Sequence, residues 1–235
     1  MLPVRDRAPA PGPAPVTRLL ILANVASFLV QIRLLGAGPA LAWMELAAFV
    51  PQRFLADPIG FAPSLLLHAF LHADPLHLIG NLFFLAVFGD DVEVRLGRGR
   101  YLAFYLAGAV AAAAVHAAFE PSGWRPLVGA SGAIGALLAA YVTWFPRSGV
   151  QAYVIVLAPL WWALRLVSRP PRFYLWWLPA WAYVGWWAVV QGWQAAGTLA
   201  VRDVSAPGVA WWAHVGGFAF GLVVAAVLRA RRSGG

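Results

Sequence analysis

Apolar residues in this chain come in long blocks, not in the short alternations of a soluble core. The runs at about 17–35, 75–90, 100–119, 130–146, 173–193 and 210–229 each read as a helix in an apolar environment. Several are shorter than the roughly 20 residues that cross a bilayer as a helix, so the helices must run past the apolar blocks. The expected fold class is all-α, a polytopic membrane protein with a six-transmembrane-helix bundle over residues 17–229. Residues 1–16 read as a Pro/Ala-rich tail, with Pro9, Pro11, Pro13 and Pro15 alternating, and are expected to be disordered. Residues 230–235 form a short basic tail. Arg18 followed by Leu19–Val30 has the look of a secretion signal, but the later blocks favour a retained first helix. The connection 36–66 carries Trp43, Phe49, Phe54 and Phe61 and is expected in the membrane interface.

Composition agrees with this picture. Of 235 residues, 62% are hydrophobic and only 11% charged, where a soluble domain would carry about 25%. There is no cysteine, which excludes a disulfide framework and a thiolate metal site. The net charge of +8 comes from arginine alone among the basic residues. The arginines are scattered over short loops and both tails and form no single face, so nucleic acid is not the expected partner. With the N-terminus inside, thirteen arginines fall in inside segments and four (Arg33, Arg53, Arg125, Arg202) outside. That asymmetry is the positive-inside signature. It predicts a multi-pass protein of the cell (plasma or inner) membrane with both termini cytoplasmic.

Candidate chemistry sits at the starts of three helices. Ser131 opens the fourth, within Gly129-Ala130-Ser131-Gly132; His214 opens the sixth; His77 and Asn81 lie at the start of the second. All three starts share the extracytoplasmic side in this topology. Polar groups are costly in lipid, so three sets at one depth point to a site. Ser131, Gly135 and Ala139 form one helical stripe, and His214, Gly217 and Gly221 another. Gly217-x-x-x-Gly221 is a small-xxx-small seam for close helix contact. Packing the two stripes together brings the hydroxyl to the imidazole.

Ser131 and His214 share a depth only if one crossing lies between their helices; if they work together, 150–167 must not cross, and it reads as an interfacial or re-entrant piece. The chemistry such a pair permits is nucleophilic catalysis, with His214 taking the proton of Ser131. No carboxylate is placed to orient the histidine, so a dyad is expected. Asn81, the Ser131 backbone N–H and His77 can donate to an oxyanion. His68, His72 and His77 admit a three-histidine metal site in principle, but a role in bonding the 36–66 region to the site fits better. His116 reads as an ordinary buried, satisfied histidine, and Asp90, Asp91 and Glu93 as a solvated loop capping helix ends. No cofactor and no metal are expected.

These residues together resemble the rhomboid family of intramembrane serine proteases. The resemblance rests on His68-x3-His72-x4-His77-x3-Asn81, Gly129-x-Ser131-Gly132 and Ala213-His214-x2-Gly217-x3-Gly221. It also covers Phe88-Gly89-Asp90-Asp91-Val92-Glu93 and Trp187-x3-Gln191. It implies a rhomboid-like bundle with a water-filled cavity, Ser131 as nucleophile and His214 as general base. Asn81, His77 and the Ser131 backbone would be oxyanion donors. Implied partners are the bilayer and transmembrane protein substrates, cut near helix-destabilising residues that reach the site past Trp181, Trp186 and Trp187 or over a loop at 194–209. Pro63 and Ser64 stand where many members carry a Trp-Arg pair. The alternative is a catalytically silent rhomboid-like protein that binds membrane proteins, against which the presence of both Ser131 and His214 argues. A transporter would place its polar groups near mid-membrane instead.

Overall fold

The computed structural model describes residues 1–8, 12–34, 46–153, 175–200 and 210–233. Among them are helices α1 (Pro15–Leu34), α2 (Pro51–Ala56), α3 (Ser64–Leu67), α4 (Pro75–Leu96), α5 (Arg98–Phe119), α6 (Ser131–Trp144), α7 (Ala180–Ala200) and α8 (Trp211–Ser233). Three short strands accompany them: β1 (Leu2–Asp6), β2 (Gly149–Tyr153) and β3 (Leu175–Pro179). Stretches of α1, α4, α5 and α8 are long and apolar enough to cross a membrane. The protein is a mostly helical, polytopic membrane protein. Helix α6, with 14 residues, is only about 21 Å long. It lies innermost, with Gly132 to Tyr141 all buried.

Local chemistry sets the helix ends. Asp74 caps α4 by accepting from the His77 backbone N–H, and Pro75 opens the first turn. Gly97, at φ +81°, lets the chain reverse between α4 and α5 without a Cβ clash. Glu93 reaches back to the start of α1 and accepts from the Val16 and Thr17 backbone N–H groups and from the Thr17 hydroxyl. The unpaired first-turn amides of α1 thus meet a carboxylate, favoured by the helix dipole as well.

The centre of the bundle is a seam of small residues. A Cβ on Gly217 would overlap the Gly132 carbonyl oxygen, and one on Gly221 would lie 2.6 Å from Ala136 Cα. Gly135 faces the His214 carbonyl and the Phe218 amide. Helices α6 and α8 therefore meet backbone to backbone. The stripe on α6 is Gly132, Gly135 and Ala136, a part-turn away from the expected Ser131, Gly135 and Ala139. That rotation leaves the Ser131 side chain at the edge of the seam, where it can face a ring instead of a backbone. Helix α5 closes the third side, with Gly108 against Ala133 and Ala136.

Several expectations are corrected. Residues 2–6 of the expected disordered tail form β1, which pairs antiparallel with β2, and β2 pairs antiparallel with β3. Pairing supplies order that composition does not show: Arg5 bonds Gln151, Arg7 stacks over Trp177 and the Tyr141 hydroxyl bonds Asp6. The helix expected at 173–193 begins at Ala180, because Leu175–Pro179 is a strand. Helix α4 runs on to Leu96, so Asp90, Asp91 and Glu93 are helical, and Asp91 and Glu93 are buried, not solvated. His116 is buried with Nδ1 lacking a hydrogen bond; the Glu120 carboxylate stands 4.0 Å away. Strands β2 and β3 carry the chain away from α6 and back to α7 at one end of the bundle. Residues 35–45, 154–174 and 201–209, which include parts of the expected interfacial, re-entrant and loop segments, lie outside the described residues; residues 194–200 belong to α7.

The seam makes a direct prediction. Gly221→Ala should destabilise by about 1–3 kcal/mol or more, because the new methyl meets backbone that cannot move aside. Gly192→Ala, where nothing lies within 4 Å, should be neutral or slightly stabilising. Thermal unfolding in detergent distinguishes them; equal midpoints would remove the seam from its central role.

Candidate active site

Ser131 is the first residue of α6, and the turn before it is held from three directions. Leu127 exchanges both backbone hydrogen bonds with Phe49, at 2.7 and 3.2 Å. The Gly129 N–H donates to the His68 carbonyl at 2.9 Å. Gly129 itself has φ +118°, a backbone conformation that side chains rarely adopt. A Cβ there would also stand 2.7 Å from the His77 ring and 3.5 Å from Asn81 Nδ2. Glycine is required at this position on both counts, and His77 and Asn81 are thereby placed over the turn that leads to Ser131.

Across the seam, His214 Nε2 lies 2.7 Å from Ser131 Oγ. Its Nδ1 lies 2.6 Å from Gln191 Oε1 on α7. A carboxamide oxygen only accepts, so Nδ1 carries the proton and Nε2 presents a lone pair to the serine hydroxyl. Trp187 and Trp211 flank the imidazole, with ring centroids 6.0 and 5.9 Å away. Ser131, His214 and His77 are half-buried, while Asn81 and Gln191 are buried. Chemically, this is a hydroxyl whose proton has an acceptor in place, and a base whose tautomer is set from behind.

The opposite wall is built on histidines. Asn81 Nδ2 donates to His72 Nε2 at 2.9 Å, which leaves the second N–H of that amide for another acceptor. His72 is pinned to α1: its N–H donates to Gln31 Oε1, and Gln31 Nε2 donates to its carbonyl. His68 Nδ1 bonds the Ser64 carbonyl at 2.8 Å. So Ser64, one of the two residues standing where a Trp-Arg pair is common, anchors this loop through its backbone. His68 and His72 thus have separate partners, and the His77 ring packs edge-on against that of His72, with centroids 5.2 Å apart.

The sequence pattern of the rhomboid domain matches residues 62–231, most of the chain. This chain belongs to the rhomboid family. It is also 33% identical over 116 residues to the presenilin-associated rhomboid-like protein A, mitochondrial, of Danio rerio. That match covers 48% of this chain and 30% of the zebrafish protein, so it spans under a third of that protein's length.

In this rhomboid chain all four residues expected at the site, Ser131, His214, Asn81 and His77, lie around one turn and one seam. Two contributors, Gln191 and His72, stood in the sequence motifs without a role at the site. Gln191 occupies the orienting position for which no carboxylate was found. Its signal was present: a glutamine inside an apolar, Trp-rich helix must find a polar partner. His72 holds the Asn81 amide; its spacing placed it near the site without naming its partner.

Burial depresses the pKa of the two loop histidines, His68 and His72, to about 4 each; for His72 the nearby His77 adds to this. Both are neutral hydrogen-bonding groups at pH 7. The sign follows from proton uptake. Below about pH 6.5 the unfolded chain binds protons that the folded chain refuses until near pH 4, so stability is lost as pH falls through that window. The expected slope is at most about 1.4 kcal/mol per pH unit for each histidine. Thermal midpoints from pH 7.5 to 4.5 should fall less steeply in His68→Asn than in the parent; identical slopes would contradict this placement of His68.

Proposed function

We propose that this chain is an intramembrane serine endopeptidase that cleaves transmembrane segments of other membrane proteins. The observation that carries the reading is the 2.7 Å contact between Ser131 Oγ and His214 Nε2, backed by Gln191 on the far nitrogen. Membership of the rhomboid family supports it.

In the proposed mechanism His214 Nε2 takes the Ser131 proton as Oγ bonds to the scissile carbonyl carbon. The negative charge that develops on the carbonyl oxygen is stabilised by the Asn81 amide, by the first-turn backbone N–H of Ser131 and by a ring N–H of His77. When the C–N bond breaks, the imidazolium returns the proton to the leaving amine, and an acyl-serine ester remains. Water, deprotonated by His214, hydrolyses the ester and restores the hydroxyl. Gln191 acts through His214: it keeps Nε2 unprotonated at rest and keeps the ring aimed.

A helical substrate hides its carbonyls in its own hydrogen bonds, so the segment must unwind before it can be cut. Glycine or proline in the substrate span eases that step. Arginine asymmetry supports an orientation with both termini cytoplasmic and the Ser131 end toward the extracytoplasmic side.

Labelling by a fluorophosphonate probe tests the proposal. The parent should be labelled and Ser131→Ala should not; His214→Ala should react about 10²–10⁴-fold more slowly. Gln191→Leu should also slow labelling. Gln191→Glu, which keeps an acceptor at this position, should retain it. Undiminished labelling of Ser131→Ala would overturn the assignment. A folded parent that resists the probe would favour the catalytically silent, binding rhomboid-like protein.

A further inference from the structure

At the end of the bundle away from Ser131, a cavity of about 620 Å³ opens between α5 and α8, with Trp144 at the end of α6 as its back wall. Its inner walls are apolar: Ala103, Phe104 and Ala107 on α5, Phe220 and Val224 on α8. Its outer end is lined by Arg95, Arg100 and Arg231. The geometry is that of a slot. From Arg100 to Ala107 the helix rises about 10 Å, and from Arg231 to Phe220 about 16 Å, so positive charge and apolar floor are separated along the axis of the bundle.

The charge at the rim is held there. Arg100 and Arg231 are exposed, and the Arg95 guanidinium leans over the Trp144 ring at 5.1 Å. Among the described residues that line the slot, none is acidic. An adjoining cavity of about 370 Å³, which shares Trp144, is lined by Arg7, Arg147 and Arg229. This end of the protein is therefore strongly basic around a lipid-facing slot.

We propose that the slot binds one anionic phospholipid, its phosphate on Arg100 and Arg231 with Arg95 behind, and one acyl chain along Phe104, Phe220 and Val224. A cationic rim over an apolar slot between membrane helices matches an anionic amphiphile from the surrounding bilayer. A phospholipid whose head group carries its own cation offers the same chain but cancels the charge. Free inorganic phosphate offers the charge but leaves the slot empty. This site is independent of the chemistry proposed for Ser131.

Native mass spectrometry of the full chain in detergent tests the proposal, with phosphatidylglycerol and phosphatidylcholine of identical acyl chains. Retention of phosphatidylglycerol should exceed that of phosphatidylcholine by roughly tenfold, given severalfold per arginine near the head group. The double variant R100Q/R231Q should lose that excess while its retention of phosphatidylcholine is unchanged. Ala107→Trp, which keeps every arginine but fills the inner slot, should reduce both lipids; it serves equally if the double variant does not fold. Phosphatidylglycerol should raise the thermal midpoint, and inorganic phosphate should not. Equal retention of the two lipids, an excess that survives R100Q/R231Q, undiminished binding in Ala107→Trp, or equal stabilisation by inorganic phosphate would each overturn it.

Discussion

The structure depends on one contact, the approach of α6 and α8 at Gly132, Gly135, Ala136, Gly217 and Gly221. In lipid there is little hydrophobic gain from burying one apolar helix against another, so association rests on close packing and polar contacts. Glycine at the crossing lets two backbones touch, and that fixes how the helices sit against each other. Ser131 and His214 stand at the tops of these helices, at the edge of the seam. Their hydrogen bond is a consequence of the seam; a larger residue in it would separate them.

The polar groups near the seam follow a second constraint: a donor or acceptor placed among apolar helices must find a partner. Gln191 finds His214, Asn81 finds His72, Gln31 clamps the His72 backbone, and Glu93 closes the start of α1. Three of these bonds link residues more than 20 apart in sequence, and the fourth joins Asn81 to the turn just before its helix. The set ties α1, the 64–72 turn, α4 and α7 to the one seam. The tautomer of His214 and the orientation of Asn81 are thereby determined by residues that do not touch Ser131.

Much of the site was legible in the sequence because membrane helices are read from simple signals. Ser131, His214, His77 and Asn81 stood out as polar residues at helix starts, and the arginine asymmetry put those starts on one side. What was not legible depended on pairing across long distances. Nothing in Leu2–Asp6 announces a strand, because its partner is Gly149–Tyr153, more than 140 residues away. The aromatic run Leu175–Leu178 reads as a continuation of an apolar helix, yet it pairs with that same strand, and Pro179 closes it. Glu93 looked solvated beside arginines because its acceptor role is set by the start of α1. The α6 stripe was misplaced by part of a turn, since periodicity locates a small-residue face but not which of its members a neighbour will touch.

The proposed role of the hydroxyl and imidazole joined across this seam is cleavage of a peptide bond within a membrane span. Incubating the purified, reconstituted protein with a single-span membrane protein and locating the products by mass spectrometry decides it. The parent protein should yield two fragments with termini inside the span, and a folded His214→Ala variant should leave the substrate intact. Cleavage that persists in that variant, or a substrate left whole by the folded parent, would contradict it.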